Sequence, residues 1–438
     1  MRSKKLKQFL SLGLGLMMAV SPVAGVQAEE THEPVTLRFM WWGGDARHEA
    51  TIKAIEAFEE KYDWITIEPE YGSNDGYFEK MTTQLSSGNA ADVIQLGTGW
   101  LPSLVESSPD MFIDFKEYDI ELGNFESSFL EQNGNIGGKQ YGLPTGIAGY
   151  CLIYNKTLAD TIGIQMPDSK EASTWDALLE LGKKVQEYDS EAYLLNMESI
   201  GIFNCVMRPY IVQKTGTPMV VDNKLTFTEE DLAEFLTYLK ALYDNKVLVP
   251  MEDVAAFTND NFYTDPKWVS GDTYVAAIIA SSTAEPVSAA CPDSEFTIGY
   301  APVLADAKDD GYYADCPQYY CVPEDSEHKE EAVLFLDWLL NSEEAAAILT
   351  TVRSVPPTKV GQEVCAELGV LEGVAKEAVD LIQANYHGVN QMGISTEDAF
   401  RDNVCRDMIS MIAYGQGTPE EIAEEYYVLM QDYIDSKE

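Results

Sequence analysis

Catalytic signatures are what this 438-residue sequence has least of. Its four histidines, His32, His48, His328 and His387, form no HExxH pair, and no GxSxG elbow, P-loop or GxGxxG turn occurs. Metallo-hydrolase, serine-nucleophile and nucleotide-phosphate chemistry are thereby disfavoured. The seven cysteines, Cys151, Cys205, Cys291, Cys316, Cys321, Cys365 and Cys405, include no CxxC and are scattered, unlike a zinc site or a disulfide framework. Their odd number leaves at least one thiol unpaired, although Cys316 and Cys321 are near enough in sequence to bridge. Positive charge is also scarce, with 29 Lys+Arg against 73 Asp+Glu and a formal net charge of −44. Nucleic acid and anionic membrane are therefore poor partners. A neutral polar ligand is compatible, whereas an anionic one needs a local basic cluster, and the linear sequence shows none.

Long apolar runs are missing except near the start. There Arg2, Lys4, Lys5 and Lys7 precede the run Phe9 to Val20, and Val26-Gln27-Ala28 offers the small residues of a signal-peptidase site. The run is short for a membrane span, so residues 1–28 read as an export signal whose removal leaves a secreted, periplasmic or cell-surface chain. Removal also takes away four positive charges and no acid, which brings the formal charge to about −48. The acidic stretch holding Asp306, Asp309, Asp310 and Asp315 lacks the EF-hand spacing and its closing glutamate. It reads as a solvated turn, and neither a metal nor a cofactor is expected.

What is present is an alternation of strands and helices. Val35, Leu37, Phe39 and Trp41 alternate with Thr36, Arg38 and Met40, the period of a strand. Gly43-Gly44 then breaks the pattern, Asp45 stands where a cap belongs, and Ile52, Ile55 and Phe58 recur at helical spacing. A strand TIEPEY, a helix through Tyr77, Met81 and Leu85, and a strand Asp92 to Leu96 follow. This β-α-β-α-β order belongs to a parallel sheet covered on both faces. Further strands are predicted at Cys151 to Tyr154, Tyr274 to Ala280, Phe296 to Tyr300 and Tyr319 to Val322. Helices are predicted after the caps Thr174, Thr228 and Thr418. Length favours two domains. With no repeat or low-complexity linker, they are expected to interweave, as residues 29–147 plus 273–322 and residues 148–272 plus 323–438.

Sheets of this kind take ligands at the carboxyl ends of their strands. Trp41 and Trp42 lie at one such end and Gly97-Thr98-Gly99-Trp100 at another. Neighbouring residues of a strand point to opposite faces, so one of Trp41 and Trp42 should lie inside and the other at the rim. A pyranose has apolar C–H faces that stack on rings and hydroxyls that need planar partners. The 24 tyrosines and 7 tryptophans, with Trp100, Tyr150, Tyr210, Trp268, Tyr312 and Tyr313 beside strand ends or turns, suit a carbohydrate cleft. Asp45 and Arg47 stand beside the first rim as polar candidates. Paired carboxylates for glycoside hydrolysis remain compatible, since their separation is a spatial quantity, so a secreted glycoside-active enzyme is the second reading.

The blocks WWGGDARHEATIKAIEAFEEKY, YFEKMTTQLSSGNAADVIQLGTGWL, YGLPTGIAGYCLIYNKTL, STWDALLELGKKV, WVSGDTYVAAIIASS and KEEAVLFLDWLLNSEEAA together resemble, in order, the extracellular solute-binding proteins of sugar ABC transporters, the maltose-binding-protein-like family 1. The resemblance implies an α/β, two-lobed type II periplasmic-binding-protein fold, each lobe a mostly parallel sheet flanked by helices. It further implies a monomer, not an enzyme, that clamps a neutral mono- or oligosaccharide between its lobes and hands it to the permease subunits of an ABC importer. Matching the family's blocks gives Asp45 the role of an acid accepting sugar hydroxyls and puts Thr98 and Trp100 on a ligand-contacting loop. The same matching assigns Arg208 and Tyr210 to a polar and a stacking position in the second lobe, Ser281 and Ser282 to a loop after the returning strand, and Arg353 to a late segment reaching the cleft. Ala148 replaces an acid used by maltose-binding protein, which argues against maltose itself, and no lipobox cysteine explains surface retention. Other solutes of the wider group, such as glycerol-phosphate or peptide, and a role in chemosensing are further alternatives.

Overall fold

The protein's structure, a computed structural model, describes residues 32–257, 262–385 and 393–437. The export segment expected at residues 1–28 lies outside them. Among the described residues no helix is long and apolar enough to cross a membrane.

Strands run in chain order as β1 (Val35–Trp42), β2 (Ile65–Gly72), β3 (Val93–Gly97), β4 (Leu143–Pro144), β5 (Tyr150–Asn155), β6 (Tyr193–Leu195), β7 (Tyr274–Ala280), β8 (Phe296–Gly299) and β9 (Gln318–Cys321). They make two principal sheets. The first has the order β2-β1-β3-β9-β4, with β1 parallel to β2 and β3, and β9 antiparallel to its neighbours. The alternation read from Val35 onward divides the strand as expected: Leu37, Phe39 and Trp41 belong to one core and Met40 to the other. Helix α1 (Asp45–Lys61) contributes Ile55 and Phe58 to the first core. Helix α2 (Tyr77–Ser86) and helix α3 (Trp100–Ser107) contribute Tyr77, Met81 and Leu101 to the second. Both faces of this sheet are therefore covered.

The second sheet has the order β8-β5-β7-β6, in which only β7 and β6 pair in parallel. This corrects the expectation of two mostly parallel sheets. Strand β6 is three residues long and fully buried, too short to show any period in the sequence. Helices Trp175–Tyr188, Glu229–Asp244 and Pro419–Asp435 start at Thr174, Thr228 and Thr418, each of which caps through its side chain, the last two in capping boxes.

Two further expectations change. Strands β7 and β8 were assigned to the first lobe but hydrogen-bond to β5, so of residues 273–322 only the segment around β9 joins the first sheet. An all-apolar run such as YVAAIIA carries no face pattern and fits either sheet. The helix Lys329–Asn341, assigned to the second lobe, instead packs on the first sheet. Phe335 meets Phe39 and Phe58 at 5.4 and 5.0 Å between ring centroids, and Trp338 meets Phe58 at 5.5 Å.

All seven cysteines are buried free thiols, and Cys316 and Cys321 do not bridge. The acidic stretch is held locally, with Asp310 paired to Lys170 and the Asp309 side chain accepting from the Gly311 amide. Among the described residues no cluster of His, Cys, Asp and Glu is arranged to hold a metal ion.

Candidate ligand-binding cleft

The chain passes between the two sheets along a narrow ribbon. From β4, Thr145 donates its amide to the Gln318 carbonyl at 2.9 Å, and the next residues lead into β5. Ala148 and Asp315 exchange both backbone hydrogen bonds at 2.7 and 2.8 Å, and Ile147 donates to Val355 at 2.9 Å. Three crossing segments thus lie side by side. They join the carboxyl edge of β1 and β3, at Trp42 and Gly97, to the edge of the second sheet where Tyr150 begins β5 and Ala280 ends β7. A few backbone bonds between two packed bodies are the construction of a hinge.

At the first edge four rings form one cluster. Trp42 lies 4.7 Å from Tyr77 and 5.2 Å from Trp100, and Phe78 lies 4.9 Å from Trp100 between centroids. The Tyr77 hydroxyl donates to the Gln95 carbonyl at 2.9 Å, fixing that ring from below. Gly97 lets the indole lie close on the strand end: a Cβ there would stand 3.0 Å from Trp100 Cδ2 and push the ring out by a few tenths of an ångström. Trp42 and Trp100 are half-buried and Phe78 is 37% exposed, so the cluster offers ring surface to solvent. Thr98 is half-buried beside Trp100, and Asp45 is exposed at the first position of α1. Asp45 is not the cap: Gly44 occupies that position and provides no side-chain bond.

Trp41 goes the other way. It is fully buried on Phe39 and Tyr71, and its indole N–H donates to His48 Nδ1 at 3.1 Å, so it belongs to the core. Trp268 is likewise core, 2% exposed, stacked on Phe296 and donating to the Val287 carbonyl at 3.1 Å. Tyr210 is buried between Trp175 and Phe235. Tyr150 is buried too, with its hydroxyl donating to the Gly311 carbonyl at 3.0 Å and its ring against Tyr312 and Tyr313. None of these four presents the free ring face that stacking on a sugar requires.

Of the remaining candidates, Ser282 is exposed at the end of β7. Ser281 is buried, with its amide donating to the Gly149 carbonyl at 2.9 Å. Arg208 lies buried with its guanidinium 5.8 Å from the Tyr313 ring centre, next to Asp315 of the crossing ribbon. Burial pushes the Asp315 carboxyl up from its ordinary value while the Arg208 charge opposes that shift. Arg208 follows Phe203–Met207, a π-helical turn that no residue pattern announced. Arg353 is 4% exposed and donates to Thr51 and Gln95 of the first lobe. Arg47 is half-buried and reaches the Trp42 carbonyl at 3.5 Å. Burial lowers the pKa of both guanidinium groups.

Sequence reading missed Tyr77 and Phe78, which complete the ring cluster, and Asn196. This asparagine follows β6 at the second sheet's edge, is fully buried, and has no hydrogen bond from either side-chain atom. The signal for the first two was the spacing Trp42, Tyr77-Phe78, Trp100 at consecutive loop and helix starts. Asn196 had none. A separate cavity beside Arg353, lined by Tyr320, Leu339, Leu340, Ala346 and Leu349, has the apolar wall of a packing defect and no pair of stacking rings.

Two lobes joined by a hinge ribbon, with rings set at one facing edge, invite comparison with known proteins. The family model described as bacterial extracellular solute-binding protein matches residues 53–364. The chain belongs to that family. This solute-binding protein is similar to the diacetylchitobiose binding protein DasA of Streptomyces coelicolor, 25% identical over 183 residues that make 40% of this chain and 42% of that one. It is also similar to an arabinooligosaccharide-binding protein of Halalkalibacterium halodurans, 24% identical over 243 residues, 54% of this chain and 50% of that one. The chain thus spans about half or less of the length of these curated relatives. Among solved structures, a periplasmic oligogalacturonide binding protein from Yersinia enterocolitica is 26% identical with a TM-score of 0.77, covering 92% of this chain and 99% of that one. The two-lobed fold of the solute-binding protein is thereby shown, and the relatives named here are binding proteins for diacetylchitobiose, arabinooligosaccharide and oligogalacturonide.

Proposed function

We propose that this chain captures a sugar or oligosaccharide between its lobes and presents it to the permease subunits of an ABC importer, as a monomer exported by its first 28 residues. The observation that carries this reading is the set of solvent-facing rings Trp42, Phe78 and Trp100, backed by buried Tyr77, at the carboxyl edge of the first sheet. Sugar binds first to these rings, with Asp45 and Thr98 accepting and donating to its hydroxyls. Closure about the ribbon then brings polar groups near Ser282 from the other side. A ligand favours the closed state only by the contacts it gains there, and the permease reads closure.

Magnitudes support rings over hydroxyl contacts alone. Micromolar binding corresponds to about 8 kcal/mol, while a hydrogen bond contributes about 0.5–1.5 kcal/mol net. Apolar burial at about 25 cal/mol per Å² of ring and sugar face supplies much of the remainder. A neutral ligand was expected from net charge. The relatives, however, include both a diacetylchitobiose binding protein and one solved with saturated digalacturonic acid, so family membership favours neither a neutral nor an acidic saccharide.

Thermal melting of the mature chain against a panel of oligosaccharides, with product analysis of the same mixtures, tests the reading. Stabilisation without released monosaccharide is expected. Released monosaccharide would replace it with a glycoside-active enzyme, and stabilisation by peptide or glycerol-phosphate alone would replace the ligand class.

A further inference from the structure

Two arginines of the first lobe lack the acids that hold others in this chain. Arg38 is paired with Glu70, and Arg401 with Asp402. Among the described residues neither Arg47 nor Arg353 pairs with a carboxylate, although the chain carries 73 acids. Arg353 gives three of its five N–H groups to neutral acceptors. Nε and Nη2 donate to Thr51 Oγ1 at 3.1 and 2.8 Å, and Nη1 donates to Gln95 Oε1 at 2.8 Å. Its guanidinium is enclosed by the rings of Tyr320, Trp41 and Phe39, at 5.5, 5.9 and 6.0 Å from their centres. The Tyr320 hydroxyl adjoins both guanidiniums without meeting hydrogen-bond geometry.

Arg47 stands one helical turn before Thr51, on the same face of α1, and the Thr51 hydroxyl donates to the Arg47 carbonyl at 2.7 Å. Arg47 Nη1 and Gln95 Nε2 both point to the Trp42 carbonyl, at 3.5 and 3.4 Å. Thr51, Gln95 and the Trp42 carbonyl therefore link the two cations to the end of β1, while the Trp42 ring itself lies on the other face of the sheet. Buried positive charge without a counter-ion is costly, and a guanidinium is shaped to take a carboxylate through two parallel hydrogen bonds. The first turn of α1, uncapped by Gly44, adds amide N–H groups of the same polarity, opposed by the exposed Asp45.

We propose that Arg47, with the Arg353 charge behind it, receives a carboxylate of the bound saccharide, so that the ligand is an acidic oligosaccharide with a uronate at the sugar stacked on Trp42 and Trp100. This rests on the sugar-binding reading above and sharpens it. The stacking face selects a pyranose, and the guanidinium at the same strand end selects the acid over its neutral isostere.

Isothermal titration of the mature chain with digalacturonate, trigalacturonate, their methyl esters and maltotriose tests it, because the ester keeps the sugar and removes the charge. The acid should bind at least tenfold tighter than the ester. Arg47→Gln should weaken binding of the acid by about ten- to a hundredfold, several times more than it weakens the ester, and Arg47→Lys should recover part of the loss. Thermal melting without ligand checks that both variants fold. Ester or maltotriose binding as tightly as the acid would overturn the acidic ligand and leave the saccharide reading standing, as would equal losses for acid and ester in Arg47→Gln. Failure of every saccharide would remove both.

Discussion

The two facing edges of this molecule are built from similar residues to opposite ends. At the first, Trp42, Phe78 and Trp100 stop short of the core and keep ring surface free over Gly97. At the second, Tyr150, Tyr210, Tyr312 and Tyr313 are all buried, their rings spent on each other and on the core. Aromatic richness in the sequence is thus not a measure of stacking surface. What distinguishes the first edge is small backbone beneath the ring and a loop that ends the strand, whereas the second continues into packed helices. Under the proposed function, the first lobe serves as a preformed platform and the second as a rigid body that brings polar groups to it.

That contrast can be broken most forcefully in the second lobe. Trp268→Ala should destabilise the fold by about 3–5 kcal/mol, the range for emptying a buried aromatic site, and leave saccharide affinity of the surviving folded protein unchanged, as denaturant melts paired with titration would reveal. A large affinity loss at wild-type stability would instead return Trp268 to the binding surface. Trp100→Ala should do the converse. Losing one stacked ring removes about 1.5–3 kcal/mol of apolar contact, hence roughly ten- to a hundredfold in affinity, with the melting temperature of the free protein little changed.

Gly146→Ala sharpens the comparison at the hinge. A Cβ there would come within 2.5 Å of the Ser354 side chain and 3.1 Å of the Val355 carbonyl, so the crossing segments must separate. A stability loss of about 1–3 kcal/mol and a reduced compaction on ligand addition are expected, the second read by small-angle scattering. The smallest effect should come from Asp45→Ala, about 0.5–1.5 kcal/mol of affinity for one exposed hydroxyl contact, read by titration.

Much of the first lobe, and the helix starts of the second, were legible because their signals are local. Strand alternation from Val35, the Gly43-Gly44 break and the caps at Thr174, Thr228 and Thr418 each act within a few residues of themselves. Lobe membership was not, since strand β7 is apolar on every side and the helix Lys329–Asn341 returns to the first sheet from far along the chain. The candidate site divides in the same way. Trp42 and Trp100 could be found from strand ends, but the guanidinium cluster depends on Arg353 meeting Thr51 across 302 residues. A pair of guanidiniums built from distant parts leaves no basic run in the sequence, which is why a neutral ligand was the expectation there.

Small-angle scattering of the protein, with and without a saccharide shown by titration to bind, probes lobe closure most directly. A smaller radius of gyration on saturation, abolished by Trp100→Ala at the same ligand concentration, is the result expected. Saturating binding with superimposable profiles, undiminished in Trp100→Ala, would contradict a clamp that closes over rings of the first lobe.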